Sequence, residues 1–199
     1  MKPSELFFGL CRYYSSLGLD QDVSWSTWSQ RTVSYFDQLG RMLGYVVQTE
    51  DTLTDMDNWK CPKAMKGKRI DMTWIYPDRN EYAIALEHQG SNSLEKITVD
   101  IKKLCLILGL KVLVVYRQNT LQIQKIAARE IPKIDGQEGS FLLINIPDYF
   151  RDKPPIKRLE ARLIGENGKF VAAGTAEARK ESITGLRFFS NIKWHHPKT

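Results

Sequence analysis

Asp71, Glu87 and Gln89 are the residues of this chain best spaced to do chemistry. Asp71 lies in the run Arg69-Ile70-Asp71-Met72-Thr73-Trp74, and Glu87 and Gln89 lie in Ala83-Ile84-Ala85-Leu86-Glu87-His88-Gln89. Two carboxylates brought close repel one another and are stable when a cation sits between them. Oxygen donors without sulfur suit Mg²⁺ or Mn²⁺. Such an ion can activate a water and stabilise the charge of a phosphodiester in transfer. Glu87 also interrupts an apolar run, where a charge is costly unless it faces water, a metal or a partner. The plainer alternative makes both acids ordinary solvent-face residues of an amphipathic hairpin.

Both runs have strand character, and Pro77-Asp78-Arg79-Asn80 between them has turn chemistry. In an antiparallel pair, facing residues share one sum of numbers. Pairing Asp71 with Glu87 gives 158 and centres the turn on Arg79. Gln89 then falls on the same side as the two acids. Ile70, Met72, Trp74, Ile84, Leu86 and His88 fill the other face, so alternation points His88 away from the acids and gives it a packing or supporting role. A slip of one residue separates the carboxylates.

The elements that must hold this hairpin are legible around it. Apolar residues at Leu6, Leu10, Tyr13, Tyr14 and Leu17 predict a helix over Glu5–Leu17. A second helix, capped by Ser24 or Ser26, runs to about Leu43 with Gly44 as its stop. Tyr45–Glu50 reads as a strand and Asp51–Lys68 as a long loop. Asn92-x-x-Glu95 resembles a capping box for a helix from about Ser93 to Leu108, with an apolar face of Leu94, Ile97, Ile101, Leu104, Cys105 and Leu108. Lys111–Tyr116 is a nearly continuous apolar strand. Leu121–Arg129 reads as a helix and Ser140–Ile146 as a strand. Arg158–Ile164 and Lys169–Thr175 flank Asn167-Gly168, a tight-turn signal. The tail through Trp194 has no clear pattern, and His195-His196 read as a flexible end.

The chain has 199 residues and 42% apolar content, enough for one domain with a real core. The reading is a single domain over 1–199, with a core over about 26–146 and a basic extension over about 147–199. The net charge is +6, and residues 151–199, with 11 Lys/Arg against 5 Asp/Glu, hold all of it. A basic flank beside a neutral body suits a polyanion, as it suits a solvated lysine-rich surface. Cys11, Cys61 and Cys105 form neither a disulfide framework nor a zinc motif, and Cys105 fits a core position. The opening MKPSELFFGLCRYY lacks the pattern of a signal peptide, and no apolar run is long enough to span a bilayer. A soluble, cytoplasmic protein is expected.

The Asp71 and Glu87 runs, the helix with Asp100-Ile101-Lys102-Lys103-Leu104 and the strand Lys111–Tyr116 together resemble the PD-(D/E)XK nuclease superfamily, over Ser26 to Tyr116. The resemblance implies an α/β, restriction-endonuclease-like core with a mixed central β-sheet flanked by helices, here followed by a β-rich C-terminal extension. It implies that Asp71 and Glu87 bind Mg (or Mn) and that the backbone carbonyl of His88 completes the ligand set. It also implies an acid from the first core helix, for which Asp37 is the best-placed candidate and Glu50 a weaker one. The family's lysine falls at Gln89. A lysine supplies positive charge to the attacking water and the pentavalent state, whereas glutamine only hydrogen-bonds. In some members the lysine migrates, and Lys103, then Lys102 and Lys96, are its candidates here.

Three functions follow as expectations. The first is a Mg-dependent DNA endonuclease, with nucleic acid as partner, no membrane, and a homodimer as one arrangement for cutting two strands. The second is a catalytically inactive nuclease-fold protein that binds nucleic acid or protein. The third is an unrelated α/β domain whose hairpin is only structural. Among the tryptophans, Trp59 suits base stacking, Trp28 and Trp74 suit the core, and Trp25 is assigned neither role.

Overall fold

Apolar spacing decides the helices. A computed structural model describes residues 1–17, 25–56, 60–63, 65–90, 93–116, 119–133, 139–146, 158–180 and 187–197. Helix α1 (Pro3–Ser16) has Pro3 in its first turn, and the Glu5 carboxylate accepts from the Lys2 backbone N–H at 2.8 Å. It buries Leu6, Phe7, Leu10, Cys11 and Tyr14, a single stripe. Helix α2 (Trp25–Met42) buries Trp28 and Phe36 on the same layer. Helix α3 (Leu94–Cys105) is capped by Ser93, whose hydroxyl accepts from the Lys96 N–H. Asn92, expected as the cap, and Ser24 lie outside the described residues. Helix α4 (Thr120–Glu130) follows an Asn119 cap.

The strands are β1 (Val46–Thr52), β2 (Arg69–Ile75), β3 (Tyr82–Gln89), β4 (Leu110–Tyr116), β5 (Phe141–Ile146), β6 (Arg158–Ile164), β7 (Phe170–Lys180) and β8 (Arg187–His195). They form one mixed sheet in sequence order, β1 to β8. The pairs β3–β4 and β4–β5 are parallel and all others antiparallel. Parallel neighbours need crossovers, and α3 and α4 supply them on one face of the sheet. The class is α/β with a mixed sheet, as expected.

Two cores result. One packs α1 and α2 against Met72, Trp74, Ile84, Leu86, Val112, Val114 and Leu142. The other packs α3 and α4 against Ala85, Leu113, Val115, Phe141 and Leu143. Full burial of side chains this size contributes roughly 1.5–3 kcal/mol each. Gly109, between α3 and β4, has φ +86°, and a Cβ there would lie 2.7 Å from the Tyr82 carbonyl oxygen. That approach admits only glycine.

Three expectations are corrected. Strand β1 runs on to Thr52, so Asp51 and Thr52 belong to it and not to the loop. Ile70 does not share a face with Met72 and Trp74. The β1–β2 ladder passes over Glu50, whose φ is +53°, between Thr49↔Met72 and Asp51↔Ile70. Beyond that point Asp51 bonds Thr73 at 2.7 Å and Ile70 packs on the α3 side with Leu53, Met56 and Met65. The tail is no loose end either, since His195 closes β8 opposite Ala173. Strands β6–β8 continue the sheet and share the core of α1. Phe7 meets the Trp194 ring at 5.9 Å, and the Phe189 N–H donates to Ser15 Oγ at 2.8 Å.

Candidate functional site

The β2–β3 hairpin has the register that the carboxylate pair requires. Met72↔Leu86, Thr73↔Ala85 and Trp74↔Ile84 all share the sum 158, and the irregularity falls at Ile75, near the turn. The ladder ends at Met72↔Leu86; Asp71 and Glu87 are the next residue of each strand, and their carboxyls are close enough to share a hydrogen bond. Asp71 stands near the start of β2 and Glu87 near the end of β3, a strand flanked on its other side by the parallel strand β4.

Glu87 is almost wholly enclosed, at 3% exposure. Burial and the neighbouring charge of Asp71 push its carboxyl up to about 9, against the opposing pull of Lys103. Asp71 goes the other way. Burial alone would raise it, but hydrogen bonds from the His88 ring and backbone, the charge of His88 and a hydrogen bond with the Glu87 carboxyl outweigh that and hold it below the usual range. Two adjacent acids whose environments drive their proton affinities apart mark a candidate functional site.

Helix α3 supplies the positive charge. Lys103 Nζ meets the Glu87 carboxylate, lies 3.7 Å from Asp100 Oδ1 and donates to the Arg69 carbonyl at 2.9 Å. Lys102 and Lys96 are exposed. Gln89 Nε2 donates to Asp100 Oδ2 at 2.8 Å. Asp100 is itself enclosed, and its carboxyl is raised, first by burial and further by Asp71, against the pull of Gln89 and Lys103. The Gln89 amide thus anchors the acid that flanks Lys103 on α3.

Helix α2 reaches the site from the opposite layer. Ser29 Oγ hydrogen-bonds His88 Nε2, and His88 Nδ1 bonds Asp71 Oδ2 at 2.7 Å. The His88 backbone N–H donates to the same oxygen at 2.8 Å. His88 therefore does not point away from Asp71 as simple alternation has it. At the ragged end of the hairpin its ring spans from α2 to the carboxylate.

Asp37 is not brought to this group. It pairs with Arg41 one turn along α2, at 2.9 Å, and stands eight residues past Ser29, about 12 Å along the helix axis. Glu50 pairs with Arg69 on the exposed edge. Asp100 and Ser29 were not singled out from the sequence. The Asp100 signal was present: it lies three residues before Lys103 and beside the apolar stripe of Ile97 and Ile101. Ser29 carries no such mark. Trp28 and Trp74 are core residues, while Trp59 and the side chain of Trp25 lie outside the described residues.

Asp71 and Glu87 offer hard oxygen donors from two carboxylates, the number with which Mg²⁺ is commonly held when water and substrate supply the rest. The proton-holding tendency of Glu87 is the strain that a cation would relieve. The residues fit such an ion in type. Among the described residues, no group of three or more His, Cys, Asp or Glu is set to hold a metal by itself. No described helix is long and apolar enough to cross a membrane. No family model, no curated protein and no solved structure matches this chain.

Proposed function

We propose that this protein is a Mg- or Mn-dependent endonuclease of the PD-(D/E)XK type that hydrolyses phosphodiester bonds in DNA. The observation that carries the proposal is the ammonium of Lys103 on Glu87, one strand from Asp71. The element order α2-β1-β2-β3-α3-β4 gives further support, because it is the order over which the resemblance runs. Asp71 and Glu87 would hold the cation, whose chemistry is to stabilise phosphoryl charge and sharpen a bound water as nucleophile. Lys103 supplies the charge that Gln89 lacks, aimed at the pentavalent state. Gln89 keeps Asp100 in place beside that lysine. The polyanion partner is supported by the basic C-terminal quarter. Arg158 begins β6 and Arg179 and Lys180 end β7, at the same end of the sheet as the C-terminus of β3.

The test is cleavage of plasmid, branched and single-stranded DNA with Mg²⁺ or Mn²⁺, beside an Asp71→Ala, Glu87→Ala double variant. Cleavage by the wild type alone supports the enzyme. A second reading, a nuclease-fold module that binds without cutting, is favoured by the small donor set and by a lysine that already neutralises Glu87. DNA binding without cleavage in either metal selects it. Absence of both DNA and metal binding sinks the enzyme.

A further inference from the structure

Every bond that His88 makes to Asp71 falls on one oxygen. The ring Nδ1 and the backbone N–H both reach Oδ2, at 2.7 and 2.8 Å, and neither touches Oδ1. A carboxylate oxygen only accepts, so in the neutral ring Nδ1 carries the proton. Nε2 is then an acceptor, and the Ser29 hydroxyl is the donor that faces it. The chain Ser29–His88–Asp71 thus runs from α2 into β3 and across to β2, and it has one consistent direction.

We infer that Ser29 and His88 are positioning residues that fix the Asp71 carboxylate, holding Oδ2 and turning Oδ1 toward a divalent cation. The inference rests on the metal-site reading of Asp71 and Glu87. Its physical basis is that a ligating carboxylate works only in the right rotamer, and outer hydrogen bonds set that rotamer. Two donors on one oxygen do so firmly, and they are independent. The backbone donor is held by the sheet and is insensitive to side-chain substitution. The ring's tautomer is set by the Asp71 carboxylate, and Ser29, bonded to the far nitrogen, holds the ring so that Nδ1 stays aimed at Oδ2. Without the Ser29 hydroxyl, the ring loses its anchor at Nε2 and is free to turn, carrying Nδ1 off Oδ2. The carboxylate would then keep only the backbone donor. Ser29 is half-buried and lies one turn into α2, where a serine has no other evident task. It acts through His88 and touches no reacting atom.

Two measurements on the intact protein test this. The first is the ¹⁵N–¹H ring spectrum at pH 8, above the ordinary imidazole range. The chain has three histidines, and His88→Gln assigns the His88 signals by their loss. The expected pattern is a protonated Nδ1 and an acceptor Nε2, with the Nδ1 proton signal weakened by exchange in Ser29→Ala and restored in Ser29→Thr, which keeps the hydroxyl. The second is binding of Mn²⁺ followed by electron paramagnetic resonance. Loss of an outer-sphere partner typically weakens a metal site by about 10–100-fold, and that loss is expected for Ser29→Ala with recovery in Ser29→Thr. A proton on Nε2 in the wild type, or Mn²⁺ affinity unchanged in Ser29→Ala, overturns the inference and leaves the metal site standing. A wild-type protein that binds no Mn²⁺ at all overturns the metal-site reading and this inference with it, whatever the ring spectrum gives.

Discussion

Replacing Glu87 by Gln should change how stability depends on pH, because it freezes the carboxyl in a form close to its protonated one. In the folded protein the Glu87 carboxyl is pushed from an ordinary 4.5 up to about 9. Between those values the folded state holds a proton there that the unfolded chain has released. The sign follows from linkage: the stabilising proton is fully present below pH 4.5, and its contribution is lost as pH rises toward 9. Each pH unit in that window costs about 1.4 kcal/mol. From pH 6 to pH 8 the wild type should therefore lose up to about 2.7 kcal/mol relative to Glu87→Gln. The ionisations of Asp71 and Asp100 are common to both proteins, so the difference isolates residue 87 apart from its coupling to Asp71. The assay is urea unfolding at pH 6, 7 and 8 in chelator, with the slope of each transition checked for constancy. A second series with excess Mg²⁺ should reverse the ranking at pH 8, stabilising the wild type more than the variant. Parallel pH profiles for the two proteins in chelator would refute the electrostatic account of Glu87. A widening gap in chelator with no Mg²⁺ effect would keep that account and remove the cation.

Four further variants have expected outcomes. Lys103→Met should lower DNA cleavage by at least about 100-fold, the scale of losing a transition-state donor. At pH 6 it should cost less than the roughly 3–5 kcal/mol of a broken buried ion pair, because Glu87 already holds a proton at that pH; denaturant midpoints check this. Gln89→Lys in the Lys103→Met background should restore a measurable part of that cleavage, since it sets a new ammonium against Asp100; no recovery would place the needed charge at Lys103 alone. Phe36→Ala should destabilise by about 3–5 kcal/mol, because the ring is fully enclosed between α2 and Trp74, and thermal unfolding reads the loss. Gly109→Ala should cost about 1–3 kcal/mol from its positive φ and its approach to the Tyr82 carbonyl, with no change in the far-ultraviolet spectrum.

The legibility of the molecule followed the regularity of its patterns. The apolar β4 and β5 and the Asn167-Gly168 turn formed where their patterns indicate, and α3 did so as far as Cys105, leaving Leu108 outside the helix. The β2–β3 register was readable because a single sum satisfies both the turn and the alternation. Strand β8 was opaque for the opposite reason. Its inward residues are Phe189, then Ile192 and Trp194, a step of three before a step of two. The irregularity accompanies Asn191, at φ +49°, and the register shift between Thr175 and Glu177. At the β1–β2 edge the register holds, but Glu50, at φ +53°, interrupts the pleat, and Ile70 lies on the α3 face. At the site, the acids and Lys103 were visible as types at spacings. The link from Ser29 to His88 spans 59 positions, and no local pattern predicts a contact that depends on how a helix docks.

The contact between α1 and β8 has a consequence for the order in which the protein can be made. Ser15 and Phe189 are 174 positions apart. Translation at about 5–20 residues per second leaves the stripe of Phe7 and Leu10 without its covering strand for roughly ten to thirty-five seconds on the ribosome. The middle of the sheet, from β2 to β5, can assemble from near neighbours during that interval. The first helix waits for the last strand, so closure is a late, long-range event of the kind that slows folding. A nascent chain halted before β8 would present a greasy helix to solvent, and chaperone capture at α1 is the expected mark of that delay.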